Sequence, residues 1–255
     1  MTGTFSPAPG SAPVIRKVTT QGLMELRLML RNGEQLLLAL VIPLLVLIGG
    51  VQAAGHLGLL KSDNVVDLLP PGVFALAIMS SSFTSLAIAT GFERRYGVIK
   101  RLGASPLSRT ELLTGKVLGL LGLQVLQIVV LGAVAAALGW RLDPIGILPA
   151  VIVAVLGTAA FASLGLFVAG LLRAEATLAA ANLIYILLLA GGGTVLPSTS
   201  YGIGGKLLQL LPSGALGDGL RAALVHGQWS WWAMIVLAVW TAIGASLTAR
   251  TFKWE

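Results

Sequence analysis

Six long stretches without a charged side chain dominate the sequence, and they cover residues 35–60, 68–92, 117–140, 144–172, 176–205 and 222–249. A helix that crosses a bilayer needs about 20 mostly apolar residues, so each stretch has room for one crossing. The strands of a transmembrane barrel would instead be alternating segments of about 10 residues. The pattern therefore predicts an all-α polytopic membrane protein with six transmembrane helices, at about residues 35–55, 70–92, 113–139, 145–172, 177–196 and 229–250.

The composition excludes most classes of soluble protein. Of the 255 residues, 56% are hydrophobic and only 11% are charged, whereas average soluble proteins have roughly 25% charged residues. The 17 basic and 10 acidic residues cannot cover the surface of a soluble domain of this size. The absence of cysteine also excludes disulfide scaffolds, thiolate zinc sites, iron–sulfur clusters and cysteine nucleophiles.

The charges divide unequally between the two sides that the six helices define. One side carries 13 basic and six acidic residues, and the other carries four of each. Because Lys and Arg accumulate on the cytoplasmic side, both termini are predicted to be cytoplasmic. The net charge of +7 then lies on that side. Since no nucleic-acid-binding module is recognisable, this charge does not indicate a nucleic-acid partner.

The N-terminal region is predicted to have two parts before a single transmembrane domain at residues 34–254. Residues 1–13 are rich in Pro, Ser and Gly and are expected to form a disordered tail. Residues 14–33 are predicted to form an amphipathic interfacial helix, whose apolar face is formed by Ile15, Val18, Gly22, Leu26, Met29 and Leu30. This helix is either a membrane anchor or an elbow that transmits movement.

The segment between the second and third predicted spans has the sequence of an ordered loop. A short helix is expected over residues 93–102, with Tyr96, Ile99 and Leu102 on one face and Gly103 as its C-terminal cap. Ser108 and Glu111 have the spacing of a capping box that begins the next helix. The basic residues of the loop can simply hold it inside the cell, or the loop can be a docking element for a cytoplasmic partner.

This segment resembles the signature E-R-x-x-G-x-x-K-R-L-x-x-[ST]-P-L of type-2 ABC exporter permeases, the daunorubicin-resistance-like group. The matching positions are Glu93, Arg94, Gly97, Lys100, Arg101, Leu102, Ser105, Pro106 and Leu107. The resemblance implies that residues 93–107, with Arg95 among them, form the coupling helix that docks on a separate P-loop ATPase subunit. It further implies a bacterial plasma-membrane exporter for a drug, lipid or glycan, paired with a second copy or a similar permease.

The segment before the last predicted span contains several helix-breaking residues. Three adjacent glycines at 191–193 weaken the preceding helix, and Leu196-Pro197 ends it. The pieces at 206–211, 212–219 and 220–225 are too short to cross a bilayer. Re-entrant or interfacial helices are therefore predicted within 197–226, with an ordinary folded loop as the alternative. The family resemblance implies an extracellular gate, with Pro197, Pro212 and Arg221 as candidates.

Uncharged polar residues occur within the predicted spans. No span has an Asp, Glu, Lys or Arg near its centre, whereas ion-coupled carriers usually place ionisable groups there. The resemblance implies that the second and fifth spans line the substrate pathway, with Thr84, Ser85, Asn182 and Tyr185 as candidates. Helix–helix hydrogen bonding is the alternative role for each. Gly115 and Gly119 form a GxxxG pair, a weak signal in a chain with 32 glycines.

The chain lacks the sequence of a phosphate-binding P-loop. It is therefore not expected to be an enzyme or to bind a cofactor, and ATP and Mg²⁺ would be bound by the partner subunit. His56 and His226 have no second metal ligand nearby in sequence, so no metal site and no catalytic residue are predicted. An ATP-independent secondary transporter and a non-transporting membrane assembly protein remain the alternative functions.

Overall fold

The computed structural model describes residues 12–57, 62–104 and 107–251, and every regular element in these residues is helical. The α-helices are α1 (Val14–Arg31), α2 (Gly33–Leu57), α3 (Ser62–Met79), α4 (Leu86–Arg95), α5 (Val98–Gly103), α6 (Arg109–Ala137), α7 (Ile147–Leu171), α8 (Ala174–Gly191), α9 (Gly205–Leu208), α10 (Pro212–His226) and α11 (Trp231–Thr251). A π-helical segment, Ser80–Ser85, joins α3 to α4, and 3₁₀ turns lie at Pro144–Gly146 and Ser198–Gly204. The all-α prediction is confirmed.

Five helical stretches in the described part of the chain are long and apolar enough to cross a membrane. They are Val66–Arg95, Arg109–Ala137, Pro144–Leu171, Ala174–Gly191 and Trp231–Thr251. Each overlaps one of the predicted spans. At the predicted first span, within α2, the described apolar helix is the shorter stretch Ala39–Ala53.

The continuous stretch of α3, the π segment and α4 forms the centre of the bundle, with α2, α6, α7, α8 and α10 around it. Residues 73–79 of α3 are at most 5% exposed. In the π segment, Ser81 Oγ donates to Ala77 O at 2.9 Å, and Ser82 Oγ donates to Ile78 O. Such back-bonding competes with the regular helical hydrogen bonds. π-Helical turns are rare in proteins, and many of those that are found lie at functional sites.

A glycine seam on α6 allows α1 to pack very closely against it. A Cβ atom at Gly115 would lie 2.6 Å from Gln21 Cγ, and one at Gly119 would lie 2.7 Å from Glu25 Cβ. Only glycine leaves enough space for this approach. The GxxxG pair noted in the sequence is therefore an intramolecular packing surface.

The packed face of α1 differs from the predicted apolar face. Gly22 contacts α6, whereas Ile15 is 75% exposed and Leu30 is 43% exposed. Gln21 and Glu25, which hydrophobic periodicity places outside the apolar face, are instead buried. The reason is that the surface of α6 that contacts α1 consists of glycines and a polar side chain. The small and polar residues of α1 therefore face α6.

The glycine-rich sequence at 212–219 is the first half of α10, so the predicted separation of this stretch from a later short helix is wrong. Pro212 occupies the first turn, where a missing N–H costs no hydrogen bond. Gly217 faces the carbonyl groups of Gly193 and Thr194. The glycines serve close packing against neighbouring backbone, and α10 packs on α3, α7 and α11.

Candidate functional site

The predicted coupling segment is broken at Gly97. Helix α4 continues to Arg95, Gly97 takes a left-handed conformation with φ of 69°, and α5 begins at Val98. The prediction of one helix over 93–102 is therefore wrong, because a left-handed residue ends a helix and glycine adopts it without steric cost. The proposed cap is also wrong, since α5 includes Gly103 and its C-cap is Ala104. Ser105 and Pro106 lie outside the described residues.

The break at Gly97 separates side chains that periodicity would place together. Ile99 is fully buried against Leu112 of α6, with Leu102 packed beside them. Tyr96, predicted to share that face, is 66% exposed and stacks on Phe92 with ring centroids 6.2 Å apart. Helix α5 is thus held to the start of α6 through its apolar side.

Two arginines of the motif connect α4 to neighbouring helices. Arg94 Nη1 donates to Ala169 O at 2.7 Å and to Gly170 O at 2.6 Å, at the C-terminal end of α7. A cation is favourable there because the last carbonyl groups of a helix lack intrahelical partners. Arg95 forms an ion pair with Glu175 at the start of α8. The end of α4 is therefore tied to both α7 and α8.

A buried ion cluster connects the motif to α1. Lys116 of α6 is 1% exposed. Its Nζ lies 2.6 Å from Glu93 Oε2 and 2.9 Å from Glu25 Oε1. Gln21 Nε2 donates to the same Glu25 oxygen at 2.8 Å. We call Glu25, Glu93 and Lys116 the ion triad; it joins α1, α4 and α6.

A second ion pair ties α1 to the start of α6. Lys17 Nζ lies 2.7 Å from Glu111 Oε1. Glu111 also accepts from the backbone N–H of Ser108 at 2.7 Å, while Ser108 Oγ accepts from the Glu111 N–H at 3.2 Å. This confirms the predicted capping box.

The outward surface of the segment is cationic with aromatic and apolar neighbours. Lys100 and Arg101 are exposed on α5, together with Tyr96 and Val98. Since the sequence predicts a docking element here, we call these four residues the docking face. Gly97 and Leu107 are half-buried beside it. The motif thus divides into residues that anchor the segment within the bundle and residues that remain accessible.

The candidate pathway residues lie on two elements in contact. Helix α8 packs against the π segment, which contains Thr84 and Ser85. Thr84 is buried, and Tyr185 of α8 is half-buried with its hydroxyl oxygen buried. Asn182, one turn earlier on α8, is exposed. Thr84 is therefore covered by the described bundle, Ser85 and Tyr185 are half-buried, and Asn182 faces the surroundings.

The candidate gate residues hold a compact segment between α8 and α11. Arg221 of α10 is 4% exposed; its guanidinium donates to Thr194 O at 2.5 Å and to Gly193 O at 3.4 Å, and lies 3.0 Å from Asp218 Oδ1. Asp218 in turn accepts from Ser198. Burial lowers the pKa of Arg221, while the charge of Asp218 acts in the opposite direction.

The two prolines of the candidate gate each precede or begin a helical turn. Pro197 is the N-cap of the turn Ser198–Gly204, and Pro212 is the first residue of α10. Both therefore set the start of an element, whereas Arg221 connects elements.

Sequence reasoning did not find the ion triad. Lys116 lies between the two glycines of the GxxxG pair, and Gln21 and Glu25 are one turn apart on α1. A lysine inside a small-residue seam, with an acidic residue on the predicted amphipathic helix, is the signal that could have indicated this pairing.

The chain matches a known family over most of its length. The model of a family described as ABC-2 family transporter protein matches residues 58–250, which include every helix from α3 to α10 and nearly all of α11. No curated protein matches the chain significantly.

Proposed function

Because the chain belongs to the ABC-2 family of transporter proteins, we propose that it is the membrane-spanning permease subunit of an ATP-driven exporter. The chain is a multi-pass membrane protein and a type-2 ABC permease. In the proposed topology α2 supplies the sixth span, α1 lies in the cytoplasmic interface, and the segment 197–226 is re-entrant on the outer side. The termini are then cytoplasmic, in a bacterial plasma membrane.

The observation that carries the proposal is the division of the motif at Gly97. Lys100 and Arg101 are exposed on a short helix whose other side is fixed by Ile99. A loop that served only to retain positive charge inside the cell would need no such anchoring. A separate ATPase subunit with an acidic cleft is the partner that this surface fits, and it would bind the ATP and Mg²⁺.

The anchors provide a route by which movement of α5 reaches the membrane helices. Displacement of α5 acts on α6 through Ile99 and Leu112, and displacement of the adjoining α4 acts on α1 and α6 through the ion triad. Displacement of the end of α4 acts on α7 through Arg94 and on α8 through Arg95. The contacts of Arg94 and Arg95 hold α7 and α8 at the ends of these helices nearest the docking face.

Helix α8 is the proposed site of pairing with a second copy or a similar permease. It is poorly covered by the described chain, with Leu183, Ile186 and Leu187 each about 60% exposed. Thr84, Ser85, Asn182 and Tyr185 would then line a weakly polar path for a hydrophobic or amphipathic substrate of the drug, lipid or glycan class. Pro197, Pro212 and Arg221 would hold the outer gate.

Co-expression with ABC ATPases from the same genome tests the proposal. We expect one of them to co-purify with the tagged chain in detergent, and the pair in proteoliposomes to export substrate only with ATP. Activity without an ATPase that collapses with an ion gradient would instead show a secondary transporter. A stable chain that binds no ATPase and moves no substrate would show a non-transporting protein.

A further inference from the structure

An apolar groove lies between α6 and α7 at the end where these two helices are joined. Helix α6 packs mainly on α1, and α7 packs mainly on α11. Phe74 of α3 and Leu220 of α10 form the floor of the groove, and the cavity has a volume of about 360 Å³. Its rim includes Val129 and Val151, which are 62% and 52% exposed. The groove therefore opens sideways, toward the surroundings of the helices.

The length of the groove along α6 is close to the thickness of the hydrocarbon layer of one leaflet. It extends from Ile128 to Ala136 on α6, which is about 12 Å at the helical rise of 1.5 Å per residue. Half of the hydrocarbon core of a bilayer is about 15 Å thick. An acyl chain lying along the helices would fill the groove over most of one leaflet.

A second cavity, which is polar, continues the groove at the helix ends. Its volume is about 580 Å³, and it shares Trp140 and Leu224 with the apolar groove. Both volumes lie in the range of small-molecule sites. Trp140 packs edge-on against Phe74, with ring centroids 5.6 Å apart. It marks the boundary between the two cavities, since it lines both of them.

The charges of the polar cavity are one cation and two anions. Arg141, Asp67 and Asp143 all line it and all are exposed. Among the described residues, neither Arg141 nor Asp67 forms an ion pair. Asp143 uses one oxygen to accept from the Ile145 N–H at 3.0 Å. The cavity therefore offers one free guanidinium for an anion and carboxylate oxygens for a cation with N–H donors.

From this continuity we infer that the two cavities form a binding site for a zwitterionic phospholipid with a primary amine, phosphatidylethanolamine. Its acyl chain occupies the apolar groove, its phosphate pairs with Arg141, and its ammonium pairs with Asp67 and Asp143. Phosphatidylglycerol would bring no cation to the two carboxylates, and the choline head of phosphatidylcholine has no N–H to donate. The site is separate from the docking face and from the candidate pathway.

The test is lipid retention by the purified full-length chain, measured by native mass spectrometry. The chain is delipidated and then incubated with an equimolar mixture of phosphatidylethanolamine, phosphatidylglycerol and phosphatidylcholine. We expect the first lipid to be retained about fivefold over each of the others, the preference that a small number of exposed ion pairs supplies. Equal retention of the three lipids would overturn the inference and show only non-selective membrane lipid.

Matched variants separate the roles of groove and charges. Gly132→Phe places a ring in the groove. There is space for it, since an added Cβ would meet only Phe74 Cζ, at 4.0 Å. This variant should abolish the preference for phosphatidylethanolamine. Val125→Phe adds the same ring two turns away on α6, on an exposed residue outside the groove, and should leave retention unchanged.

The charge variants provide a test that does not require filling the groove. Asp67→Asn with Asp143→Asn should equalise retention of the three lipids, and the asparagine at 143 can still cap the Ile145 N–H. Arg141→Gln should lower retention of all three. If these variants keep the wild-type preference, the assigned headgroup contacts are wrong.

Discussion

At the scale of single residues, Lys116 explains how a charge is accommodated within an apolar helix. Burying an unpaired charge is costly, and a buried pair is tolerated when its remaining hydrogen-bonding capacity is satisfied. Here one ammonium group serves two carboxylates, and Gln21 adds a hydrogen bond to one of them. The cluster therefore fixes the relative positions of α1, α4 and α6 with few side chains.

Lys116→Met should strongly destabilise the protein, because it leaves the buried Glu25 and the half-buried Glu93 without their cation. We expect a loss of about 3–5 kcal/mol in the free energy of unfolding, measured by thermal or denaturant unfolding in detergent. Adding Glu25→Gln and Glu93→Gln should recover much of the lost free energy of unfolding, since no uncompensated charge then remains.

Lys100→Met is the matched control, because Lys100 is exposed and should change stability by no more than about 0.5 kcal/mol. Equal stability of the variants at 116 and 100 would contradict the role of the ion triad.

At the scale of elements, the closeness of α1 to α6 depends on glycine. A Cβ at Gly119 would lie 2.9 Å from Gly22 O as well as close to Glu25. Backbone atoms cannot move away as a flexible side chain can, so substitution there must displace α1. At Gly132, on the same helix, an added Cβ would come no closer than 4.0 Å to Phe74 Cζ, which is ordinary van der Waals contact.

Gly119→Ala should lower the free energy of unfolding by about 1–3 kcal/mol through overpacking. Gly132→Ala should be neutral or stabilising by up to about 1 kcal/mol, because alanine is the better helix former. Chemical denaturation of the two variants side by side gives the comparison. Equal effects at the two positions would show that α1 does not pack closely on α6 in the membrane.

Arg221→Met should loosen the segment that links α8 to α10. It removes the donors to the carbonyl groups of Gly193 and Thr194 and leaves Asp218 without its cation. We expect a loss of about 1–3 kcal/mol and faster hydrogen–deuterium exchange of the amides in 192–200. Lys206→Met, at an exposed position of the same segment, should leave that exchange unchanged.

Sequence patterns predicted those elements that depend on neighbours in the chain. The Ser108–Glu111 capping box requires only residues three positions apart, and the apolar stretches identify the helices directly. The buried face of α1 and the single helix α10 depend on contacts with distant residues, and the left-handed Gly97 divides a segment whose periodicity alone indicates one helix. The motif was therefore recognisable from the sequence alone, while its division into anchored and exposed residues required the structure.

At the scale of the whole molecule, the contacts form one connected path from the docking face to the bundle. Helix α5 contacts α6 through Ile99, α4 reaches α1 and α6 through Glu93, and Arg94 reaches α7. A force applied at α5 would therefore act on several membrane helices together. Such a design suits a permease whose energy comes from a separate subunit.

The most direct test of this account is charge reversal on the docking face. The double variant Lys100→Glu with Arg101→Glu should abolish co-purification with the ATPase subunit, while thermal unfolding of the permease alone stays close to wild type because both side chains are exposed. The double variant Arg27→Glu with Arg31→Glu makes the same change in net charge at exposed positions on α1, and it should retain the ATPase. An ATPase complex that survives reversal at 100 and 101 would contradict the account.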